Sequence, residues 1–284
     1  MPSSDVYSHK LNNNKSHLDE NHIKSMWQEK KSDTYSAYST DELHLVEGIF
    51  IKILHNDITD SIKQQMLKMN LHITQTGKYL IISEANPPYT GQGMYIINIE
   101  SSSKILLQAP HAFHDLKSGS IAIKLFLENN ISALAINSLN RYYTSIKGEK
   151  KSADMAHLSN SLYMAFSRAY IKVFNKSRTI QLHGFNADKY PATKPLNFIL
   201  SNGTRAFDQS LINQRDCLEN KLKLKSHVYA LNINILGGTK NSIGHVLRHS
   251  SYTGFEHIEM SLPVRKRLNR SSVTRQQFMS CISL

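Results

Sequence analysis

With 284 residues, 40% of them apolar, the chain is long enough to bury a core without small-protein staples and fits one large domain better than two. Lysine and arginine number 34 against 22 acidic residues, a formal +12, which suits nucleic acid, an anionic surface or an acidic substrate and leaves the fold open. No apolar run approaches the roughly 18 to 20 residues of a spanning helix, and no apolar N-terminal stretch ends at a small-residue cleavage site, so the expectation is a protein that is not membrane-integral, cytoplasmic or exported without a conventional signal.

Residues 1–40 are rich in Ser, Asn, Lys and His, and such a polar segment offers little burial to offset its ordering entropy, so it reads as a flexible tail ahead of a single domain over 41–284. From Asp41 the pattern changes. Leu43, Val46, Ile49, Phe50 and Ile53 recur at helical spacing, and Ile62, Met66 and Met69 predict a second helix after Thr59. Apolar runs of strand length follow at 79–83, 94–99, 104–108, 131–137, 178–182, 196–200, 227–233 and 255–262. Helical patterns lie between several of them. One runs from Ser118 to Asn129; another, over 155–174, carries Met155, Leu158, Leu162, Ala165, Phe166, Ala169 and Val173 on one face with Asp154 or Ser152 placed to cap it. Alternating strands and helices predict an α/β fold with a mixed, largely parallel sheet covered on both faces.

Cys217 and Cys281 match no metal or redox spacing and read as free thiols in a reducing compartment. The stretch Val264–Leu284 carries Arg265, Lys266, Arg267, Arg270 and Arg275 with no acidic residue, the pattern of a solvated basic helix. Gly237-Gly238-Thr239-Lys240-Asn241 lacks the spacing of a phosphate loop and predicts a turn before a helix near Ser242.

Functional groups in open α/β sheets gather beyond the carboxyl ends of strands, and the chemistry-bearing residues of this chain cluster there. The run ending at Gln108 leads into Ala109-Pro110-His111-Ala112-Phe113-His114-Asp115; the next leads into Asn140-Arg141; a third delivers His183-Gly184; a fourth holds His257 and Glu259 on one face. Zinc hydrolysis asks for three His or carboxylate ligands, a general base and a cation for substrate charge. His111, Asp115 and His183 fit the ligands, with His114 the alternative to Asp115. Glu259 fits the base and Arg141 the anchor of a substrate carboxylate. Asp154 and His157, three apart, could share a helix face, His157 then serving as an extra ligand, a transition-state donor or a partner of the site.

The His-bearing loop, Asn140-Arg141, Leu182-His183-Gly184 and Ile258-Glu259 together resemble the ordered motifs of the zinc carboxypeptidase superfamily, over about Ile105 to Leu268. N-formylglutamate amidohydrolases and poly-γ-glutamate hydrolases are the non-peptidase members nearest in flavour. The resemblance implies a mixed α/β fold, a bound Zn2+ and cleavage of an amide bond near a free carboxylate in a small acidic or peptide-like substrate. The chain departs from the family where a Glu is expected three residues after the first His, since His114 stands there and Asp115 follows.

Each residue has a plainer role beside this one. Asp115 could cap the helix at Ser118, Arg141 could form an ordinary salt bridge, and Glu259 could pair with Arg265 or Arg141. A basic nucleic-acid or partner-binding protein without catalysis is the alternative function, although aromatic interleaving is sparse and no nucleic-acid motif appears.

Overall fold

A computed structural model describes residues 18–144 and 150–283. In chain order the elements are α1 (Glu20–Glu29), α2 (Thr40–Leu54), α3 (Asp60–Lys68), β1 (Leu71–Thr76), β2 (Tyr79–Glu84), β3 (Met94–Asn98), β4 (Ile105–Ala109), α4 (Ser118–Glu128), β5 (Ala133–Ile136), β6 (Tyr142–Thr144), β7 (Lys150–Ser152), α5 (Leu162–Val173), β8 (Arg178–Gly184), β9 (Phe198–Ser201), α6 (Gln209–Leu222), β10 (Ser226–Val228), α7 (Ser242–His249), β11 (Phe255–Met260), α8 (Leu262–Arg270) and α9 (Ser272–Ile282). The predicted mixed α/β sheet is what forms. Nine strands lie in the order β1-β2-β3-β5-β4-β8-β11-β9-β10, and the central run β5-β4-β8-β11 is parallel throughout.

Strands buried on both faces must be apolar on both. Leu107, Ile180 and Ile258 face a layer of helices built from α1, α4, α6, α8 and α9. Leu106 and Phe255, of the opposite parity, face α2, α3, α5 and α7. On that second face Gln108, Gln181 and His183, and His257 and Glu259, interrupt the apolar alternation of β4, β8 and β11 and remain buried. The registry sets them side by side: Gln108 opposite Gln181, Gln181 opposite His257, and His183 opposite Glu259.

The second layer also holds a buried carboxylate. Glu47 of α2 accepts hydrogen bonds from Arg168 Nε and Lys172 Nζ of α5, both at 2.6 Å. Burial raises its carboxyl pKa, and the two cations outweigh burial and hold it below the ordinary value. A depressed folded-state pKa contributes stability that is present above the unfolded pKa and is lost as pH falls through the folded one. Glu47→Gln is therefore expected to lower the melting temperature at pH 7, with the gap to wild type closing as pH falls below about 4.5; thermal melts across that range check it.

Several expectations are corrected. The segment expected as a tail is structured from Leu18 onward: Leu18, Ile23 and Trp27 enter the core, Trp27 stacks on Phe113 with ring centroids 4.4 Å apart, and its Nε1 donates to Asn137 O at 2.8 Å. Residues 1–17 of that expected tail lie outside the described residues. The helix expected over 155–174 begins only at Leu162, capped by Ser161, so Asp154 caps no helix; its Oδ1 accepts the Ala156 N–H at 3.2 Å in the turn that precedes α5. Cys217 of α6 and Cys281 of α9 are joined in a disulfide, because the packing of these two helices brings together residues 64 apart in sequence. The basic C-terminal stretch is not wholly solvated. Lys266 and Arg267 are exposed, whereas Arg265 and Arg275 are buried, Arg275 pairing with Glu128. Among the described residues no helix is long and apolar enough to cross a membrane.

Candidate metal centre

Three strand ends build the site. His111 and Asp115 sit in the turns between β4 and α4, where Asp115 N donates to His111 O at 2.8 Å. This tight turn folds the two side chains onto the same point. Helix α4 is preceded by Lys117 in a left-handed conformation with no side-chain cap, so Asp115 is not spent on capping. Its Oδ2 instead lies 3.5 Å from His111 Nδ1 and 3.7 Å from His183 Nδ1, and it accepts the backbone N–H of Gly184 at 3.0 Å. The two imidazole Nδ1 atoms are 3.2 Å apart. His114, the alternative to Asp115, is exposed and stands edge-on to Tyr142 at 5.6 Å; it is outside the buried group formed by His111, Asp115 and His183.

Each imidazole is held from behind. His111 Nε2 lies 2.6 Å from Asp154 Oδ1, and Asp154 Oδ2 is engaged by Arg141 Nη2 at 2.6 Å and His157 Nδ1 at 2.9 Å. His183 Nε2 lies 3.2 Å from Gln181 Oε1, which also accepts Asn241 Nδ2 at 2.6 Å. Gln181 Nε2 donates to Gln108 Oε1 at 2.7 Å, and Gln108 Nε2 to Ser167 Oγ at 2.8 Å. Such outer partners fix which ring nitrogen faces the site. Arg141 thus enters as the partner of Asp154, the ordinary salt bridge weighed above, while still lining the cavity.

The two histidines titrate in opposite directions. Burial lowers the pKa of His111, but Asp115 and Asp154 outweigh burial and raise it to about 9. Burial, with neighbouring His257, pushes His183 down to about 4. Asp115 is driven well below the usual carboxylate range, the histidines overcoming its burial, and Asp154 likewise by His111 and His157. Two imidazoles and a carboxylate converge on a point where a proton on His111 is strongly held.

The donor set has the spacing of a metal-ion site. Three ligand atoms of a tetrahedral site with bonds of ~2.1 Å stand about 3.4 Å apart, and the three separations here are 3.2, 3.5 and 3.7 Å.

Beside the histidines, Glu259 is buried and its Oε1 lies 3.2 Å from His257 Nε2. Its Oε2 has no hydrogen-bond partner among the described residues. Neither Arg265 nor Arg141 pairs with it, contrary to the plainer role considered for it. The His257 ring packs against His183, tilted by 33° with centroids 4.2 Å apart, and is covered by Gly238, where φ is +61° and a Cβ would stand 2.7 Å from the ring. The glycine turn therefore serves close approach as well as leading into α7, whose first turn Asn241 caps. A cavity of about 450 Å³ opens over this floor, with Arg141, Lys189 and Lys240 among its lining residues.

Sequence reasoning missed Gln108, Gln181 and Asn241. Gln108 carried a signal, being the one polar residue of the apolar strand β4; Gln181 shares β8 with Arg178, Thr179 and His183 and did not stand out.

No protein-family model and no curated protein sequence matches this chain. Solved structures with some likeness include the gene product Atu2144 from Agrobacterium tumefaciens, 12% identical, covering 64% of this chain and 92% of that one with a TM-score of 0.39. A bacteriophage poly-gamma-glutamate hydrolase is 12% identical, covering 74% and 87% with a TM-score of 0.36. The LapA aminopeptidase of Legionella pneumophila is 10% identical, covering 100% and 78% with a TM-score of 0.41.

Proposed function

We propose that this chain is a zinc-dependent hydrolase that cleaves an amide bond in an acidic acyl-amino acid, γ-glutamyl or peptide-like substrate. One observation carries the reading: the triangle of His111 Nδ1, His183 Nδ1 and Asp115 Oδ2, with ligand-like spacing, on the floor of a cavity. Those three residues would hold the ion, which supplies Lewis acidity toward a carbonyl and toward water.

The remaining steps belong to the chain's own side chains. Asp154 and Gln181 hold His111 and His183 with the Nδ1 atoms facing inward. Glu259, with Oε1 engaged by His257 and Oε2 open, takes a proton from the attacking water and passes it to the leaving amine nitrogen, so that water and amide become carboxylic acid and amine. Arg141, Lys189 and Lys240 draw in a substrate carboxylate, Arg141 from its place against Asp154. His157 supports Asp154 at the rim.

Metal analysis of the purified protein tests the reading. One zinc per chain is expected, with hydrolysis of N-acyl amino acids or γ-glutamyl peptides lost on chelation and in both His111→Ala and His183→Ala. Zinc-free wild-type protein, with activity surviving both substitutions, would sink it. Asp154→Asn removes the charge behind His111 and is expected to weaken zinc binding roughly 10- to 100-fold, measured by competition with a chromophoric chelator. Against the nucleic-acid reading stands the burial of Arg265 and Arg275, which withdraws two of the five C-terminal cations from any phosphate.

A further inference from the structure

Arg265 lies in the first turn of α8, which follows β11 closely, and is only 5% exposed. Its guanidinium is spread over three backbone carbonyls: Nη1 donates to Leu116 O at 2.7 Å, Nε to Met260 O at 3.2 Å and Nη2 to Phe185 O at 3.4 Å. The choice of acceptors is informative. Leu116 follows Asp115, Phe185 comes two residues after His183, and Met260 follows Glu259. One planar cation therefore ties together the three chain segments that deliver the carboxylate ligand, the second histidine and the base.

Gly184 makes this possible. A Cβ there would lie 2.4 Å from the guanidinium carbon, so only glycine lets the fork pass beneath the end of β8, while the same residue's N–H holds Asp115 Oδ2. Among the described residues Arg265 has no carboxylate partner within ion-pair distance; the acidic charges it faces are those of Asp115 and Glu259, and burial pulls its pKa below the ordinary value. A buried cation without a paired anion is costly, and an apolar side chain of similar length would pack the same space at less cost. Packing alone does not account for an arginine here.

We propose that Arg265 is a positioning residue for the metal centre, fixing the spacing of the segments that carry Asp115, His183 and Glu259 and offsetting the negative charge of the two carboxylates. This rests on the zinc reading above. A lysine would keep the charge but lose the fork, since a single ammonium cannot span three separated carbonyls as a guanidinium does.

The test compares wild type with Arg265→Met, Arg265→Lys and, as a destabilised control remote from the site, Cys217→Ser. Zinc affinity is read by chelator competition and ligand geometry by the visible spectrum of the cobalt(II)-substituted protein, with circular dichroism reporting folding. Arg265→Met is expected to fold and to bind zinc about tenfold or more weakly, with a shifted cobalt spectrum. Arg265→Lys should fall between it and wild type, and Cys217→Ser should bind zinc as wild type does. A folded Arg265→Met with zinc affinity within twofold of wild type and an unchanged cobalt spectrum overturns the proposal. If Arg265→Met fails to fold, Arg265→Lys is read by the same two measurements; failure of both to fold assigns Arg265 to core assembly and overturns it as well. Wild-type protein without zinc overturns the parent reading and this one with it, whereas zinc in wild type with unaltered variants overturns this one alone.

Discussion

Glu259→Gln is expected to keep its zinc and lose turnover, kcat falling by about 10²- to 10⁴-fold, the range for removal of a positioned general base. The amide is nearly isosteric with the carboxylate, so the fold and the packing of the His183 and His257 rings should persist, and KM should change far less than kcat because Glu259 contributes proton transfer rather than substrate charge. The substitution is informative because Glu259 Oε1 already has His257 as a partner while Oε2 has none. If it served only to hold His257, glutamine would largely replace it. Steady-state kinetics beside metal analysis decide the matter: turnover within a few-fold of wild type removes Glu259 as base, and loss of zinc in step with activity makes it part of the ligand support instead.

Opening the bond between Cys217 and Cys281 is expected to cost about 4 kcal/mol on the chain-entropy account of a loop of this length, lowering the melting temperature by on the order of 10 °C. The bond joins α6 to α9, both packed in the helical layer opposite the site face, so the loss should appear in stability and leave zinc content intact. Calorimetry with and without reductant, and of Cys217→Ser, measures it. Thiol titration of protein unfolded without reductant should find no free cysteine; two titratable thiols would show the bond does not form in the protein as made. Such bonds persist in oxidising compartments, so the outcome also bears on where the chain resides.

The parts of the fold legible in the sequence are those where burial and periodicity coincide. Strands β2, β3 and β4 are short, largely apolar runs buried on both faces, and α2 and α4 have unbroken helical spacing, so local pattern and tertiary environment agree. Strand β1, Leu-His-Ile-Thr-Gln-Thr, escaped because it is a sheet edge with most of its length partly solvated. Helix α1 escaped because only Ile23 and Trp27 of its ten residues are buried, too few to stand out in a polar stretch. The overextended helix before α5 has the reverse cause. Met155 and Ala156 are buried beside the site, and apolar residues covering a loop look periodic over so short a span.

Within the site, His111 and His183 were legible because each closes an apolar strand, and Asp115 was legible as one of two candidates. What separated it from His114 was the turn following β4, which sends Asp115 inward and leaves His114 exposed. That is a backbone property with no signature in residue spacing. Asp154 was legible as the neighbour of His157, which it meets at 2.9 Å; its contact with His111, 43 residues away in the chain, was not. The cystine was misread for a related reason: distance along the chain says nothing of distance between α6 and α9 once both pack on the same sheet.

The central order β4-β8-β11 has a consequence for how the centre comes into being. His111 and His183 stand 72 residues apart in the chain, so a growing polypeptide has no complete coordination set until His183 has emerged, and it lacks the base until Glu259, later in the sequence, follows. Pairings of such long sequence separation form slowly. Under the zinc reading, the ion is a late arrival at a finished scaffold, and the metal-free protein should already be folded, unlike small zinc modules whose chain collapses only around the metal.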